Sequence, residues 1–352
     1  MSEKVLMKGN EAIAESAIRS GCRHFFGYPI TPQTELSAYM AKKMPKVDGV
    51  FLQAESEIAA INMVYGAASA GVRAMTSSSS PGISLKSEGI SYIAAADLPC
   101  VIVNIVRGGP GLGGIQPAQS DYFQATRGGG HGDYHLLVLA PNSVQEMVSL
   151  TADAFNLADE YRMPVMILGD GTLGQMMEPV DFDCVGAPVY AEKPWAVTGT
   201  ENSREPNVVK TLSLKPEELE QSVLERQKKY DVVTENEQRY EAHDVEDADI
   251  IISSYGITSR VVETAAVQLR EEGYKIGIIR PITLWPFPKH IFDQVNPKAF
   301  LSVEMSMGQM VEDIQLATQC KAPVYFYGRT GGIIPSPEEV KQKVREIAKE
   351  VC

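Results

Sequence analysis

The sequence predicts two α/β domains, of which the first is a doubly wound, mainly parallel sheet and the second is smaller. Apolar runs alternate with helical patterns up to about residue 180, the composition then turns proline-rich and charged, and the alternation restarts near residue 247. Strands that alternate with helices indicate βαβ units around a parallel sheet. We therefore expect domains at 1–180 and 247–352, joined by a connector at 181–246 that contains a charged helix.

The individual elements follow from this alternation. The apolar run Cys100–Val106 has the composition of a buried parallel strand. The charged segment 215–243 is expected to form one solvated helix. Further strands are expected at 24–26, 50–53, 73–77, 136–141, 164–170, 248–256, 275–281, 299–305 and 323–329, with helices over 8–20, 34–43, 143–161, 258–273 and 336–350 and two more after residues 54 and 80.

Composition excludes several classes of protein. The net charge of −13 and the lack of a basic run argue against a nucleic-acid partner. No apolar stretch is long enough for a membrane span, and the N-terminus lacks the apolar segment of a signal peptide. The five cysteines form no CxxC pair, which fits a cytoplasmic location and predicts no metal site on this chain.

The stretch FGYPITPQTE at 26–35 holds one hydroxyl between two prolines. Pro29 and Pro32 fix their own φ angles and favour extended backbone before them, and Thr31 is stiff at χ1. A rigid segment of this kind makes a tight turn or holds the Thr31 hydroxyl against a ligand. From the residues alone both interpretations stay open.

Glu57 is expected at the start of an apolar helix that follows the strand at 50–53. It shares a helical face with Ala60, Ile61, Val64 and Ala68, and a helix that is apolar almost all round is expected to be buried. A carboxylate in a first turn can serve as a helix cap. Buried on such a face, it instead requires a partner: a backbone donor, a cation or a ligand nitrogen.

Arg107 ends the strand Cys100–Val106 and opens the glycine-rich loop 108–114. In open α/β sheets the ligand crevice lies at the carboxyl ends of the strands, and a guanidinium there suits a carboxylate ligand. An internal salt bridge is the competing interpretation.

Several motifs together resemble the α subunit, the pyrimidine-binding chain, of 2-oxoacid:ferredoxin oxidoreductases. They are GYPITP at 27–32, ESEIAAINMVYGA at 55–67, TSSSSPGISL at 76–85, NIVRGGPGLGGIQPAQSD at 104–121, YGITSR at 255–260, RPITLWPFP at 280–288 and FYGRTGG at 326–332. The match covers nearly the whole chain. The serine run and the segment GGGHGDY are most similar to the branched-chain, 2-oxoisovalerate (3-methyl-2-oxobutanoate) group.

The resemblance implies a thiamine diphosphate-binding fold, with a second domain similar to the C-terminal domain of transketolase. Thr31 resembles the family's threonine at the cofactor and the substrate carboxylate, so the neighbouring Tyr28, Pro29 and Ile30 are expected at the cofactor as well. The second domain is expected to serve assembly and subunit contact.

Two further site residues follow from the resemblance. Glu57 is similar to the glutamate that hydrogen-bonds N1′ of the aminopyrimidine, and it fits better than Glu55 because Gly66 follows it by nine residues. Arg107 looks like the arginine that receives the 2-oxoacid, and both it and Glu57 are expected to contact the cofactor. The implied reaction is CoA-dependent oxidative decarboxylation of a branched-chain 2-oxoacid to acyl-CoA and CO₂, with electrons passed to ferredoxin.

The chain departs from a complete enzyme of this type. Gly169-Asp170-Gly171 resembles the start of a magnesium–diphosphate motif, but no asparagine stands between Thr172 and Glu201 to complete it. We therefore expect Mg²⁺, the diphosphate half-site and a [4Fe-4S] cluster on a β subunit, with γ and ferredoxin-like subunits as further partners.

Alternatives of two kinds remain. The same chemistry could act on 2-oxoglutarate or an arylpyruvate, since no pocket residue decides the substrate. In a non-catalytic assembly subunit, Thr31 and Glu57 would be only a turn and a cap. A stand-alone nucleotide-binding oxidoreductase is disfavoured, because no GxGxxG opens a helix.

Overall fold

The computed structural model describes residues 4–351, which form helices and strands in alternation. The first part contains β1 (Val5–Lys8), α1 (Gly9–Arg19), β2 (His24–Gly27), α2 (Thr34–Lys43), β3 (Val50–Gln53), α3 (Glu57–Ser69), β4 (Ala74–Ser78), α4 (Pro81–Ala95), β5 (Cys100–Val106), α5 (Tyr122–Thr126), β6 (Leu137–Leu139), α6 (Val144–Tyr161), β7 (Pro164–Asp170), α7 (Gly171–Gln175) and β8 (Met177–Val180). The remainder contains α8 (Pro216–Asn236), β9 (Tyr240–His243), β10 (Ile250–Ser253), α9 (Ile257–Glu271), β11 (Ile276–Pro281), β12 (Thr283–Trp285), α10 (Lys289–Gln294), β13 (Ala299–Glu304), α11 (Met310–Thr318), β14 (Val324–Gly328) and α12 (Pro337–Val351).

The large sheet is mainly parallel, as the alternation predicted. Within residues 4–351 it has seven strands in the order β12-β6-β7-β5-β4-β2-β3, and only β12 runs antiparallel to its neighbour. Strands β5 and β7 are buried along their whole length. Strand β12 joins this sheet from far along the chain, so the two parts share one hydrophobic core.

The second sheet is smaller. In the described chain it has five strands in the order β14-β13-β10-β11-β9, all parallel except β9. Side-chain hydrogen bonds tie it to the first part: the Gln119 amide donates to the Tyr255 carbonyl at 2.7 Å, and the Tyr122 hydroxyl donates to Asp313 at 2.6 Å. The predicted fold class, a doubly wound domain followed by a smaller α/β domain, is confirmed.

The connector differs from its prediction in one respect. The helix expected over 215–243 ends at Asn236, and residues 240–243 form β9 on the edge of the second sheet. The helix is also not fully solvated, because Arg226, Tyr230 and Val233 are buried. The many charged residues of this helix dominate its sequence. The buried positions form only a narrow stripe, because they are three or four residues apart.

No helix within residues 4–351 is both long and apolar enough to cross a membrane.

Candidate active site

Four neighbouring strands of the large sheet bring the predicted site residues to one edge. Strands β3, β2, β4 and β5 are consecutive and parallel, so their carboxyl ends lie side by side. The 28–32 loop follows β2, Glu57 follows β3, the serine turn at 79–80 follows β4, and Arg107 follows β5. Since ligands bind at the carboxyl ends of such strands, the topology places all of these residues where a site is expected.

The Thr31 loop is held directly by Arg107. The guanidinium Nη1 donates to the Thr31 carbonyl at 2.9 Å. Thr31 and Pro29 are exposed, while Tyr28 and Ile30 are half-buried. The structure therefore joins Thr31 to Arg107 and leaves the Thr31 side chain accessible.

Arg107 is buried, with 7% of its surface exposed, and it forms no salt bridge within the described residues. Its Nη2 donates to the Leu112 carbonyl at 3.2 Å, so both terminal nitrogens hold loop backbone. Its Nε is buried and has no hydrogen-bond partner among residues 4–351. A buried donor without a partner costs free energy and marks a place for a ligand or water. The salt-bridge interpretation of Arg107 is wrong.

Glu57 is the first residue of α3 and is 6% exposed. The helix is capped by Ser56, whose hydroxyl accepts from the Ala59 N–H at 3.2 Å, so Glu57 is not the cap. Within residues 4–351 no donor forms a hydrogen bond with the Glu57 carboxylate, and its oxygens are not among the fully buried polar atoms without a partner, so they remain accessible. A carboxylate in a largely buried residue, with oxygens that are accessible and without a hydrogen bond from the chain, is free to accept one from a ligand.

Helix α3 is buried on one side only. The predicted face is confirmed, since Ala60, Ile61, Val64 and Ala68 are all buried with Glu57. The expectation of burial all round is wrong: Ile58 is 49% exposed. The apolar outer face is solvent-accessible in this chain because α3 packs against α4 and the sheet on its other side.

Helix α4 approaches Glu57 closely at Gly82. A Cβ atom placed on Gly82 would lie 2.7 Å from the Glu57 Oε1 and 2.1 Å from the Ser78 Oγ. Carbon does not approach oxygen this closely without a clash, so a side chain at position 82 would force the Ser78 and Glu57 side chains to move. The contact puts Glu57 beside the serine turn.

The serine run supplies two candidate site residues that were not predicted from the sequence. The hydroxyls of Ser78 and Ser79 are buried and have no hydrogen-bond partner among the described residues. Ser77 differs, because its hydroxyl donates to the Gln33 side chain at 2.6 Å. Consecutive serines before a helix are typical of a turn. The sequence alone therefore does not predict that two of these hydroxyls are buried without partners among the described residues.

Asp121 adds a second acid on the other side of the turn. The Asn104 amide donates to its Oδ2 at 3.0 Å, and the Asn104 Oδ1 accepts from the Ser80 N–H at 3.1 Å. Burial raises the pKa of Asp121, opposed by the Asn104 hydrogen bond and the charge of Arg107. No periodic pattern in the sequence indicates Asp121, since it lies in a loop before a five-residue helix.

Both carboxylate oxygens of Asp170, in the GDG sequence, accept hydrogen bonds from backbone N–H groups. Its Oδ1 accepts from the Thr172 and Leu173 N–H groups at 2.8 and 3.1 Å, and its Oδ2 accepts from the Ile257 N–H at 3.3 Å. Burial raises its pKa to about 6, although these donors oppose the shift. Asp170 therefore caps α7 and links the two parts, as expected for a turn at a strand end.

Two cavities border the site. One of about 480 Å³ is lined by Thr31, Gln116 and Gly171. A larger one, of about 830 Å³, is lined by Ser80 and Asp121 together with Met305 and Met307 of the second part. Glu57 lines neither cavity. Over the described range, no three His, Cys, Asp or Glu side chains converge as a metal-ligand set.

Two protein families together match residues 15–340 of the chain. The family described as "Pyruvate flavodoxin/ferredoxin oxidoreductase, thiamine diP-bdg" matches residues 15–256, and "Pyruvate:ferredoxin oxidoreductase core domain II" matches residues 248–340. The chain belongs to the 2-oxoacid:ferredoxin oxidoreductase family and is a subunit of a thiamine diphosphate-dependent enzyme, which confirms the resemblance drawn from its motifs.

Individual relatives show which members of the family the chain is similar to. The chain is 50% identical over 347 residues to the ketoisovalerate oxidoreductase subunit VorB of Methanothermobacter marburgensis, covering 98% of both chains. It is 35% identical to the 2-oxoglutarate synthase subunit KorA of Methanocaldococcus jannaschii, covering 96% of this chain and 98% of the relative.

Two solved structures bear on the fold. The 2-oxoglutarate:ferredoxin oxidoreductase of Magnetococcus marinus, with 2-oxoglutarate, coenzyme A and succinyl-CoA bound, aligns with a TM-score of 0.88 at 31% identity. The alignment covers 98% of this chain but 65% of that one, so this chain spans about two thirds of its length. A split-gene transketolase aligns over 98% of this chain and 99% of its own, with a TM-score of 0.60 at 13% identity, which shows a shared fold alone.

Proposed function

We propose that this chain is the pyrimidine-binding subunit of a branched-chain 2-oxoacid:ferredoxin oxidoreductase. With partner subunits it would carry out the CoA-dependent oxidative decarboxylation of 3-methyl-2-oxobutanoate to acyl-CoA and CO₂, with electrons passed to ferredoxin. The name of the relative that is 50% identical supports the branched-chain substrate. The 2-oxoglutarate alternative has weaker support, from relatives that are 35% and 38% identical.

One observation carries the proposal: Glu57 is a largely buried residue whose accessible carboxylate forms no hydrogen bond within residues 4–351, at the edge where ligands are expected to bind. A glutamate in this state can bind N1′ of an aminopyrimidine and share a proton with it. The partnerless hydroxyls of Ser78 and Ser79 and the free Nε of Arg107 lie at neighbouring strand ends. These orphaned polar atoms fit a polar ligand at this position.

Each site residue then has a distinct task. When bound, thiamine diphosphate would supply the electron sink for the loss of CO₂. Glu57 would hold a proton between its carboxylate and N1′, and Arg107 would orient the 2-oxoacid carboxylate through its free Nε. Thr31, with Tyr28, Pro29 and Ile30 in the same rigid loop, would contact the cofactor beside Arg107.

The remaining half of the site would come from a β subunit. Both carboxylate oxygens of Asp170 are already bonded to backbone N–H groups, which leaves this GDG unsuited to Mg²⁺. We assign Mg²⁺, the diphosphate site and the [4Fe-4S] cluster to that partner, and we expect γ and ferredoxin-like subunits beside it. The free cysteines Cys22, Cys100, Cys184 and Cys320 fit a cytoplasmic complex.

The proposed domains are 1–180 for pyrimidine binding, 181–246 as connector and 247–352 for assembly. Support comes from the separate five-stranded sheet of the last part.

The test is purification of the complex from the native host, followed by a panel of 2-oxoacids with a viologen dye and coenzyme A. The expected result is co-purification with an iron–sulfur partner and fastest turnover of 3-methyl-2-oxobutanoate. Fastest turnover of 2-oxoglutarate would mean that this 2-oxoacid, and not 3-methyl-2-oxobutanoate, is the substrate. A complex with E57Q that keeps full activity would instead favour a non-catalytic assembly subunit.

A further inference from the structure

The buried amide of Asn10 is bonded to the loop that carries Thr31. Asn10 lies near the start of α1 and has no exposed surface. Its Nδ2 donates to the Pro32 carbonyl at 2.8 Å. The Gln175 Nε2, at the end of α7, donates to the same carbonyl at 3.1 Å. Two helices that are distant in sequence therefore hold the peptide group that follows Pro32.

The two preceding carbonyls of the loop are bonded as well. The Arg107 Nη1 donates to the Thr31 carbonyl at 2.9 Å, and the Gln33 N–H donates to the Ile30 carbonyl at 3.2 Å. Three successive carbonyls are thus fixed, while the side chain of Thr31 is exposed. A contact group on a backbone that is held at each peptide is preorganised for a ligand.

The orientation of the Asn10 amide is set by its surroundings. Its Nδ2 also donates to the Glu35 Oε2 at 3.2 Å, so the amide uses both of its N–H groups. A backbone carbonyl and a carboxylate can only accept, and therefore only the nitrogen end of the amide can face them. Burial would raise the pKa of Glu35, but hydrogen bonds from Gln175 and Lys8 outweigh it and lower that pKa, so Glu35 is an ionised acceptor at neutral pH.

This orientation of the amide lowers stability at its other end. The Asn10 Oδ1 is buried and has no hydrogen-bond partner within residues 4–351. The amide is also closely packed, since a Cβ placed on Gly174 would lie 3.1 Å from both its Oδ1 and its Nδ2. A buried oxygen without a partner is unfavourable, and an apolar side chain would avoid it. The asparagine is therefore explained by the bonds that its nitrogen makes to the loop.

Asn10 does not border the candidate site itself. The cavity of about 480 Å³ is lined by Thr31, Glu35 and Gln175, and Asn10 is not part of its wall. The Asn10 amide can therefore affect a ligand in this cavity only through the residues that line it.

We propose that Asn10 is a positioning residue of the candidate site, which holds the Pro32 carbonyl so that Thr31 presents its hydroxyl to the cofactor and the 2-oxoacid. The inference rests on the proposed function of Thr31. Asn10 acts through Thr31 and touches neither cofactor nor substrate. Without its amide, the Pro32 carbonyl keeps the bond from Gln175 alone, and Thr31 occupies a wider range of positions.

The loop can be observed without cofactor. Hydrogen–deuterium exchange of the assembled, cofactor-depleted enzyme is followed by mass spectrometry in peptides that cover residues 27–35. In N10A, exchange in this segment should be about threefold faster or more, because the Pro32 carbonyl loses the shorter of its two hydrogen bonds. Unchanged exchange in N10A would overturn the inference.

The matched control is S16A. Ser16 is also buried in α1, and its hydroxyl donates to the Val148 carbonyl of α6 at 2.6 Å. S16A therefore removes a buried bond from the same helix to a backbone carbonyl outside the loop. It should leave exchange in residues 27–35 as in wild type, and equal acceleration there in S16A and N10A would show a general loosening of α1 and overturn the inference.

The functional consequence is measured in a double-mutant cycle with T31V, which removes the hydroxyl and keeps the shape of the side chain. In the assembled enzyme, N10A should lower kcat/KM for the fastest 2-oxoacid of the panel about tenfold. In the T31V background it should lower kcat/KM by less than about twofold, because no hydroxyl remains to be positioned. S16A should leave kcat/KM unchanged in both backgrounds. Equal losses from N10A in both backgrounds would mean that Asn10 supports only the fold, and would overturn the positioning role.

If N10A does not assemble, N10S takes its place under the same criteria, because a serine hydroxyl ends one atom short of the Asn10 Nδ2.

The two hypotheses can fail separately. If T31V and E57Q both lower kcat/KM while the losses from N10A are equal in the two backgrounds, the proposed function stands and the inference on Asn10 is wrong. If T31V alone keeps full activity, the inference falls and the role of Glu57 stands. If T31V and E57Q both turn over as wild type does, the proposed function falls, and the role of Asn10 falls with it.

Discussion

Two buried glutamates, one at each sheet, show what distinguishes a structural acid from a site acid. Glu304 ends β13 and has no exposed surface. It accepts hydrogen bonds from the hydroxyls of Ser302 and Ser306 and from the N–H groups of residues 309, 310 and 311. Glu57 begins α3 and is nearly as buried, but no donor in the described chain reaches its carboxylate. The carboxylate of Glu304 is fully hydrogen-bonded within the chain, whereas that of Glu57 is left available for the ligand that we propose.

The same contrast extends to the surroundings of the two acids. Around Glu304, serine hydroxyls and the N-terminus of α11 supply donors. Around Glu57, the hydroxyls of Ser78 and Ser79 have no partner among residues 4–351, and the buried cation of α4, Lys86, bonds to β4. Buried polar groups are normally hydrogen-bonded, so a concentration of exceptions indicates function.

The largest effect is expected from E57Q in the assembled enzyme. The amide cannot hold the proton that a carboxylate shares with N1′, so turnover should fall about 10²- to 10⁴-fold. Fold and subunit assembly should be kept, because Glu57 makes no hydrogen bond that the chain needs. Steady-state kinetics with a viologen dye measure the loss, and size-exclusion chromatography checks the assembly. Turnover within threefold of wild type would remove Glu57 from the mechanism.

E304Q is expected to lower stability and to leave turnover unchanged, which is the reverse of E57Q. Loss of an acid that accepts several hydrogen bonds leaves N–H and hydroxyl donors unpaired, which should lower the free energy of unfolding by about 3 kcal/mol. Urea denaturation of the full chain measures this value. Turnover per folded enzyme should be unchanged. A stability equal to that of wild type would contradict the structural role of Glu304.

K86M is expected to change how stability depends on pH. The pKa of lysine falls from 10.5 to about 7 on burial, so between these values the unfolded chain binds one proton more than the folded chain. Stability due to this group therefore rises from pH 7 to pH 10.5, and the cost of burial is present in full below pH 7. K86M should lose this rise, which denaturation at several pH values would reveal. A parallel rise in wild type and K86M would place its cause elsewhere.

G82A should disturb the contact between α4 and Glu57. The added methyl group would overlap the Ser78 Oγ and press on the Glu57 Oε1, so we expect about 1–3 kcal/mol of destabilisation. Cofactor affinity should fall as well, because Glu57 must move. G66A, at a helix position with open space around it, is the matched control. A stable G82A with full cofactor affinity would show that the close approach is unimportant.

The smallest effect is expected from E55Q. Glu55 is exposed and precedes the helix cap, so stability should change by less than about 0.5 kcal/mol and turnover by less than twofold. The measurements are those made on E57Q. A large loss in E55Q would reverse the assignment of the two glutamates.

Much of the fold follows from the sequence because its strands are apolar and long enough to show their pattern. The prediction of strands at 50–53, 100–106 and 164–170 is confirmed to the residue. Strands β1, β8, β9 and β12 were not predicted. Each is three or four residues long and lies at a sheet edge, where pairing with a distant strand, rather than local pattern, decides the conformation.

The candidate site likewise contains residues that the sequence predicts and residues that it does not. Thr31, Glu57 and Arg107 are recognisable because rigid or polar residues stand out at strand ends. Lys86 is not, because one lysine in a helix is ordinarily a surface residue, and its burial depends on the packing of α4 against α3 and the sheet. The missing partners of Ser78 and Ser79 likewise depend on three-dimensional contacts that sequence spacing does not encode.

The most direct test of the central claim is thiamine diphosphate binding to the assembled, cofactor-depleted enzyme, measured by isothermal titration calorimetry. Wild type, E57Q and E55Q are compared at pH 7 in the presence of Mg²⁺. We predict that E55Q binds as wild type does, and that E57Q loses at least tenfold in affinity because N1′ has no carboxylate partner. Equal affinity in all three would mean that the partnerless carboxylate of Glu57 does not hold the cofactor, and the account of the site would be wrong.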